Sequence, residues 1–197
     1  MHRTSSALLG IALTVLAARA LPAQSAQAIS IQASGLYNGV YGSVFTGLEH
    51  GFGAEGQLRY TPGALSIGAG FQYTTHELEN RSEDIHLYGG FLEPRYRINT
   101  GSNVLAPYLS ARLSLLKVGF SGGDLTLTSS FIQVNGGGGV LYRLGPRLNL
   151  DLGATFGYNQ LGEGTLRSEA NQTEAAIESS SGSNLVLRVG FALGIGG

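Results

Sequence analysis

Histidine, serine and carboxylate side chains are the residues of this chain that could form a nucleophilic catalytic centre. The candidates fall in connecting segments and are His50, His76, His86, Ser43, Ser129, Ser130, Glu77 and Asp84. Such a centre needs a serine activated by a histidine that an acid orients. His76 and Glu77 are adjacent, and adjacent side chains of an extended segment point in opposite directions. We therefore predict that the histidines are solvated loop residues and that the chain has no catalytic residue.

A second chemical feature is a set of charged residues in which arginine occurs almost without lysine. Lys117 is the only lysine in the chain. The set lies on segments of alternating polarity and comprises Glu55, Arg59, Glu93, Arg95, Arg97, Arg112, Arg143, Asp151 and Arg188. Arginine makes planar two-point hydrogen bonds with carboxylates and is more weakly hydrated than lysine. The set therefore predicts a buried network of guanidinium–carboxylate pairs.

Two further patterns resemble binding sites but lack the partners that such sites need. The run Gly136 to Gly139 is followed by no Lys-Ser or Lys-Thr pair, so we interpret it as room inside the fold or as a strand bend. The acidic residues Glu77, Glu79, Glu83 and Asp84 could hold Ca²⁺, but we interpret them as a solvated loop. We predict no cofactor and no metal site.

The charged set must be positioned by β-strands. Residues 148–158 read LNLDLGATFGY, with an apolar residue at every second position, which indicates a two-faced strand. Their number matches the roughly 9–11 residues of a tilted strand that crosses a bilayer. Eight segments share this pattern, namely 29–41, 52–60, 65–74, 85–98, 105–115, 132–144, 148–158 and 185–195.

Short and long connections alternate between these segments. Tight-turn residues occur at 61–63, 99–102 and 145–146, whereas 75–84, 119–130 and 161–183 are long connections. Leu125 and Leu127 could extend a strand into the second of these. An even number of antiparallel strands can close without leaving an edge. Short turns at one end and long loops at the other are typical of membrane barrels. We predict an all-β fold, an eight-stranded antiparallel up-and-down transmembrane β-barrel.

Glycine and tyrosine indicate which face of this barrel is inward. The polar face carries Gly68, Gly70, Gly137, Gly139, Gly153, Gly157 and Gly190. Glycine weakens an exposed strand, whereas in a narrow lumen it leaves room for long side chains. Tyrosines near strand ends on the apolar face would form interfacial girdles, and they are Tyr37, Tyr41, Tyr60, Tyr73, Tyr96, Tyr142 and Tyr158. We predict lipid on the apolar face and charges in the lumen, the inverse of a soluble barrel.

The first 28 residues predict a secretory signal peptide. A basic start at His2 and Arg3 precedes the apolar residues 8–18, and Ala26-Gln27-Ala28 fits a cleavage site after Ala28. Ala18-Arg19-Ala20 is a weaker alternative site. Residues 29–197 are then the barrel domain. The absence of cysteine excludes a disulfide framework, and the net charge of −1 offers no basic stripe for nucleic acid.

With these features the chain resembles the small outer-membrane β-barrel family, the OmpX-like and OmpA-like eight-stranded barrel domains. The resemblance covers about residues 29 to 197, including the segments FLEPRYRI (91–98) and RVGFALG (188–194). It implies localisation in the outer membrane of a Gram-negative-type cell, with the N-terminus periplasmic. It also implies a monomer that contacts outer-membrane lipid, lipopolysaccharide and the outer-membrane assembly machinery.

The same resemblance implies a structural or surface-interaction role without catalysis. Membrane integrity, adhesion or partner binding would use the long loops. Two alternatives stay open, a lipid A-modifying enzyme of the deacylase or acyltransferase type and a narrow passive pore. An eight-stranded interior is just wide enough to be filled by side chains, which favours an ion-paired plug over a channel.

Overall fold

The computed structural model describes residues 28–42, 45–79, 84–122, 125–168, 173–177 and 179–195. Its strands are β1 (Ile29–Tyr41), β2 (Gly51–Tyr60), β3 (Leu65–Glu77), β4 (Asp84–Arg97), β5 (Leu105–Gly122), β6 (Leu125–Arg143), β7 (Leu148–Ser168), β8 (Thr173–Ile177) and β9 (Ser180–Ile195). The predicted signal peptide lies outside the described residues except for Ala28. No helix in the described part of the chain is long and apolar enough to span a bilayer.

Eight of these strands form a closed antiparallel barrel. Each strand from β1 to β7 pairs with the next, β7 pairs with β9, and β9 returns to β1. The closing ladder runs from Ile29↔Ile195 to Tyr41↔Ser183. The short strand β8 pairs with the outer part of β7 and lies outside the ring. This architecture confirms the predicted eight-stranded up-and-down barrel.

The two ends of the barrel differ in their connections. At the turn end, residues 61–64, 98–104 and 144–147 join neighbouring strands. At the opposite hairpin end, β5 and β6 stay paired as far as Gly122↔Leu125, and β7 and β8 as far as Ser168↔Thr173. The prediction of long loops at 119–130 and 161–183 is therefore wrong, because most of these residues form strands. The sequence criterion for a strand was an apolar residue at every second position. Strands that pair beyond the apolar belt do not need an apolar face, so this criterion misses them.

The two faces of the barrel wall have inverted polarity. Outward side chains such as Leu58, Phe71 and Val189 are 54–58% exposed, whereas inward Glu93 and Asp151 are fully buried. A soluble barrel would bury the apolar side chains instead. The outward apolar belt confirms the predicted membrane barrel.

Pro94 interrupts one ladder without changing its register. The pairing of β4 with β5 is broken after Leu92↔Leu113 and resumes at Arg95↔Ser110. Proline has no N–H to give to a ladder, so a local break is the expected accommodation. The unchanged register keeps Glu93 and Arg95 on the inward face.

Candidate functional site in the barrel lumen

The charged side chains at the centre of the lumen come from β2, β4, β5, β7 and β9. They share an inward orientation and are Glu55, Arg59, Glu93, Arg95, Arg112, Asp151 and Arg188. Members on the same strand are an even number of residues apart, so the pleat turns them to one face. Each is at most 5% exposed, and buried charges of this kind need partners.

Glu93 is the hub of the network. Its Oε2 accepts hydrogen bonds from Arg59 at 3.1 Å, from Arg95 at 3.2 Å and from Arg112 at 3.1 Å. Arg188 adds a two-point contact, with Nη1 donating to Oε2 and Nη2 to Oε1, each at 3.1 Å. Four guanidinium groups from four strands therefore surround one carboxylate.

Asp151 forms the second centre of the network. Arg95 Nη1 donates to Asp151 Oδ2 at 2.8 Å, and the Tyr108 hydroxyl donates to Oδ1 at 2.6 Å. Gln32 Nε2 donates to Oδ2, and Arg188 Nε lies 3.6 Å from the same oxygen. The polar interruption in the apolar strand β7 thus has partners from β1, β4, β5 and β9.

Glu55 on β2 completes the network. It accepts from Arg112 at 2.7 Å and from Arg188 at 3.3 Å. Arg188 consequently contacts all three central carboxylates, those of Glu55, Glu93 and Asp151. One side chain of the last strand therefore links the whole cluster.

Aromatic rings support two of the arginines. Arg95 Cζ lies 4.4 Å from the centroid of the Tyr108 ring, and Arg112 Cζ lies 4.0 Å from that of Phe91. The Tyr108 hydroxyl also accepts a 2.9 Å hydrogen bond from Arg188. Tyr108, Phe91 and Gln32 are absent from the predicted set. The sequence signal that could have identified Tyr108 is its position four residues before Arg112 on the same strand, which places both side chains on one face.

Bare glycine positions make room for Tyr108. A Cβ atom built on Gly139 would lie 2.4 Å from the Tyr108 hydroxyl, and one built on Gly153 would lie 2.8 Å from it. Both glycines are on inward positions of neighbouring strands. Within the run Gly136 to Gly139, Gly139 therefore leaves space in the lumen, which agrees with the interpretation of this run as room inside the fold.

Arg97 and Arg143 lie away from this centre. Arg97 Nη2 donates to the carbonyl of Gly63, and Arg143 Nε donates to that of Gly145 at 3.3 Å. Both are the last residues of their strands, so their side chains reach the carbonyls of the turn end. The predicted charge set is thus divided between a central network and two arginines at the turn end.

An apolar cap closes the lumen on its hairpin side. It consists of inward side chains and one residue of the β1–β2 connection, namely Val40, Phe45, Leu87, Leu116, Val118 and Phe131. Phe45 enters from that connection, and its ring centroid lies 5.9 Å from that of Phe131. The inward face is therefore apolar near the hairpin end, where β1, β4, β5 and β6 direct apolar side chains into the lumen.

The predicted solvent exposure of the histidines holds for only one of them. His76 is fully buried, with Nδ1 3.0 Å from the Glu49 carbonyl and Nε2 3.2 Å from the Thr74 hydroxyl. It is buried because β3 continues to Glu77 and keeps even-numbered side chains inward. His86 is half-buried beside Tyr73, and His50 is exposed on the outer wall.

The other catalytic candidates do not converge on these rings. Ser43 lies outside the described residues, and the Ser129 hydroxyl donates to the Gly162 carbonyl at 3.1 Å. For His76 and His86 the side-chain hydrogen bonds observed in the described residues involve hydroxyl, amide and carbonyl groups. Of the predicted acidic loop, Glu83 is outside the described residues, and Glu77 lies opposite Asp84 in the β3–β4 ladder. The described residues contain no group of three or more potential ligands arranged around a metal position.

The tyrosines occupy two levels on the outer wall. Tyr60, Tyr96 and Tyr142 lie at the turn end, and the hairpin end has Tyr37, Tyr41, Tyr73 and Tyr158. All but Tyr37 are at least 41% exposed. Tyr37 is half-buried against Phe52, with ring centroids 5.5 Å apart. Tyr88, absent from the predicted girdle, is also exposed at the hairpin end.

Known structures share this architecture, although no protein-family model and no curated protein matches the sequence. Neisserial surface protein A matches with a TM-score of 0.66 and 22% identity over 85% of this chain and 97% of that one. The outer membrane protein OprG from Pseudomonas aeruginosa matches with a TM-score of 0.59 and 10% identity, covering 89% and 99% of the two chains. A major outer membrane protein from Thermus thermophilus has a TM-score of 0.54 and 17% identity over 86% and 100%. At identities this low, the structural matches establish a common fold and nothing further.

A closed antiparallel barrel, a lipid-compatible outer belt and an ion-paired interior occur together in this chain. Of the structural neighbours with the same fold, OprG and the Thermus thermophilus protein are named as outer membrane proteins. The chain therefore has the fold of a small eight-stranded outer-membrane β-barrel.

Proposed function

We propose that this protein is a non-catalytic outer-membrane barrel that binds a protein partner through its extended hairpins. The observation that carries the proposal is a sheet that continues beyond the ring. Its members, named here the protruding sheet, are the outer parts of β5, β6 and β7 together with β8. Gly122↔Leu125, Leu125↔Ser168 and Ser168↔Thr173 are its outermost pairs.

In the part of the chain that the structure describes, one edge of the protruding sheet is open. In the described residues β8 pairs with β7 alone, and β1, which flanks β9 in the ring, ends at Tyr41 opposite Ser183. An open edge presents a row of unpaired N–H and C=O groups. Proteins use such edges to add a strand from a partner, with main-chain hydrogen bonds supplying affinity. The partner class is accordingly a protein with an exposed strand or an extended segment.

The filled lumen supports a role at the outer surface. The ionic network blocks the centre, and the apolar cap lies between it and the hairpin end. Conduction would require both layers to open. A narrow pore is therefore supported less well than a surface role. The lipid A enzyme is also less well supported, because the contacts of His76 and His86 provide no serine–histidine–acid arrangement in the described residues.

The orientation follows from the same asymmetry. We place the turn end in the periplasm and the protruding sheet outside the cell, as the lengths of connections in such barrels indicate. The ring leaves no unpaired barrel edge, which is consistent with a monomer that the outer-membrane assembly machinery inserts. Signal cleavage after Ala28 would leave β1 to begin the mature chain.

Proline substitution on β8 tests the role of its edge. Ala175→Pro together with Ala176→Pro removes two successive N–H groups, one of which faces the open edge because successive N–H groups of a strand alternate in direction. The matched control, Ala175→Thr with Ala176→Thr, keeps both N–H groups and suits a strand. Cells that display each variant are applied to immobilised fibronectin, a probe built of β-sandwich modules.

We expect wild-type and threonine-variant cells to adhere above cells without the protein, and proline-variant cells to lose that difference. Adhesion by the proline variant at the wild-type level would contradict docking on the β8 edge. Wild-type adhesion no greater than that of cells lacking the protein would contradict the proposed partner class. Heat-modifiable gel mobility of every variant shows that the barrel itself is intact.

A further inference from the structure

The only lysine of the chain lies in a row of polar groups on the outer wall. The ladders place Tyr73 opposite Tyr88, Tyr88 opposite Lys117 and Lys117 opposite Ser130. These four residues, named here the Lys117 row, cross β3 to β6 at one level. All four side chains are exposed on the outward face.

The Lys117 row lies at the boundary between the apolar belt and polar residues. Two positions toward the turn end, the same ladders align Phe71, Gly90, Leu115 and Ile132, whose three side chains are 48–62% exposed. Two positions toward the hairpin end, Thr75 pairs with His86. A boundary of this kind is the level of lipid headgroups, where an ammonium group meets anionic phosphate.

The donors in and beside this row suit a phosphate group. Lys117 supplies a positive charge, and Tyr88 and Ser130 supply hydroxyl groups on either side of it. The Tyr73 hydroxyl lies 3.0 Å from His86 Nδ1, so a neutral His86 that accepts there keeps its hydrogen on Nε2. Glu77 and Asp84, the acidic residues of these two strands, are opposite each other in the β3–β4 ladder four residues beyond Tyr73 and Tyr88, about 13 Å farther along the strands.

Below the row the wall has an open furrow. Gly90 lies between Phe71 and Leu115, and a Cβ atom built on it would meet only the Gly70 carbonyl oxygen, at 3.7 Å. The missing side chain leaves space between two exposed apolar residues.

We propose that the Lys117 row is a binding site for a phosphate-bearing lipid of the outer leaflet, with the acyl chain in the Gly90 furrow. Ammonium and hydroxyl donors recognise the phosphate, and Phe71 and Leu115 flank the hydrocarbon. The site lies on the barrel wall and is separate from the β8 edge. A negative result for the protein partner would therefore not contradict the lipid site, and a negative result for the lipid site would not contradict the protein partner.

Native mass spectrometry of the folded protein in neutral detergent tests the site with two probes, phosphatidylglycerol and phosphatidylcholine. We expect tighter binding of the anionic lipid to the wild type. Lys117→Gln weakens it by about fivefold, which corresponds to one basic group at a membrane surface. Lys117→Arg keeps it within about twofold, since the charge remains. Lys117→Gln with Ser130→Lys restores it, because the charge returns one strand away in the same row.

A second variant tests the furrow. Gly90→Leu fills it and is expected to weaken binding of both lipids, while the preference for phosphatidylglycerol remains. Unchanged binding of phosphatidylglycerol by Lys117→Gln, or equal binding of both lipids by the wild type, would overturn the proposal. Either result would show that Lys117 only extends into the headgroup region. Only variants that retain heat-modifiable mobility are scored, so a loss of lipid binding that is caused by misfolding is not counted.

Discussion

Arg188 and Glu93 form a two-point contact across the lumen, with both nitrogen–oxygen distances at 3.1 Å. The contact joins the last strand of the barrel to β4. Parallel N–H···O bonds between a guanidinium and a carboxylate are among the strongest hydrogen-bonded pairs in proteins. Because Arg188 also contacts Glu55 and Asp151, this single side chain connects every carboxylate of the central network.

Arg188→Ala is expected to lower the free energy of unfolding by about 3–5 kcal/mol, because it leaves buried carboxylates short of a partner. Urea unfolding of the protein folded into lipid vesicles measures the change. Arg143→Ala is the control, with an expected loss of about 1 kcal/mol, since Arg143 donates only to a turn carbonyl. Equal losses for the two variants would contradict the central position of Arg188.

Tyr108→Phe tests the hydrogen bonds at the second centre. The substitution removes the donor to Asp151 and the acceptor for Arg188 while keeping the ring beneath Arg95. We expect a loss of about 1–3 kcal/mol in the same unfolding measurement. Tyr96→Phe, on the exposed outer wall, should change the free energy by less than about 0.5 kcal/mol. A loss below that limit for Tyr108→Phe would show that its hydroxyl is not required.

Gly139→Ala tests whether the glycines of the lumen are needed for space. The new methyl group would lie 2.4 Å from the Tyr108 hydroxyl and 2.3 Å from the Leu152 carbonyl oxygen, so overpacking should cost about 1–3 kcal/mol. Gly56→Ala is matched to it, since a Cβ atom there meets nothing within 4 Å. We expect Gly56→Ala to be neutral or slightly stabilising. Destabilisation of both variants to the same degree would attribute the effect to the backbone.

Planar-bilayer recordings test the two closures of the lumen. We expect no steady conductance from the wild type, from Arg112→Ala or from Phe45→Ala, because each single change leaves the other layer in place. The double variant opens both layers and should conduct. Steady conductance of the wild type would establish the passive pore that the filled lumen disfavours.

The lipid A mass profile of cells that overproduce the protein tests for catalysis. We expect the profile to match that of cells without the protein, because His76 and His86 contact hydroxyl, amide and carbonyl groups. His76→Gln with His86→Gln should then leave it unchanged as well. A profile that shifts with the wild type and reverts with the double variant would establish the enzyme.

Much of the fold follows from local sequence pattern. Strict alternation in residues 148–158 predicts a two-faced strand, and the recurrence of such segments with alternating short and long connections predicts the closed barrel that the structure confirms. Arginine without lysine and glycine on the polar face indicate the inversion of the faces. Side-chain alternation is a property of each strand by itself, which is why it can be recognised without the fold.

Strand ends at the hairpin side could not be predicted in the same way. Most residues of 119–130 and 161–183 are polar or small, and their ladders need no apolar face because they extend beyond the belt. The same extension carries His76 into the interior, since it adds residues to β3 past the predicted end. A long loop and a hairpin that extends beyond the apolar belt have similar amino-acid compositions, so composition does not distinguish them.

The amino-acid sequence by itself determined the strand pattern, the face to which each charge belongs and the inverted polarity of the wall. Only the tertiary structure decided which charges meet. Glu93 and Arg188 are 95 residues apart in the chain, and their contact requires closure of the ring. Closure likewise brings Phe45 against Phe131, and the registers of β3, β4 and β5 align Lys117 with two tyrosines. Alternation specifies a direction for each side chain, whereas register and closure specify its neighbours.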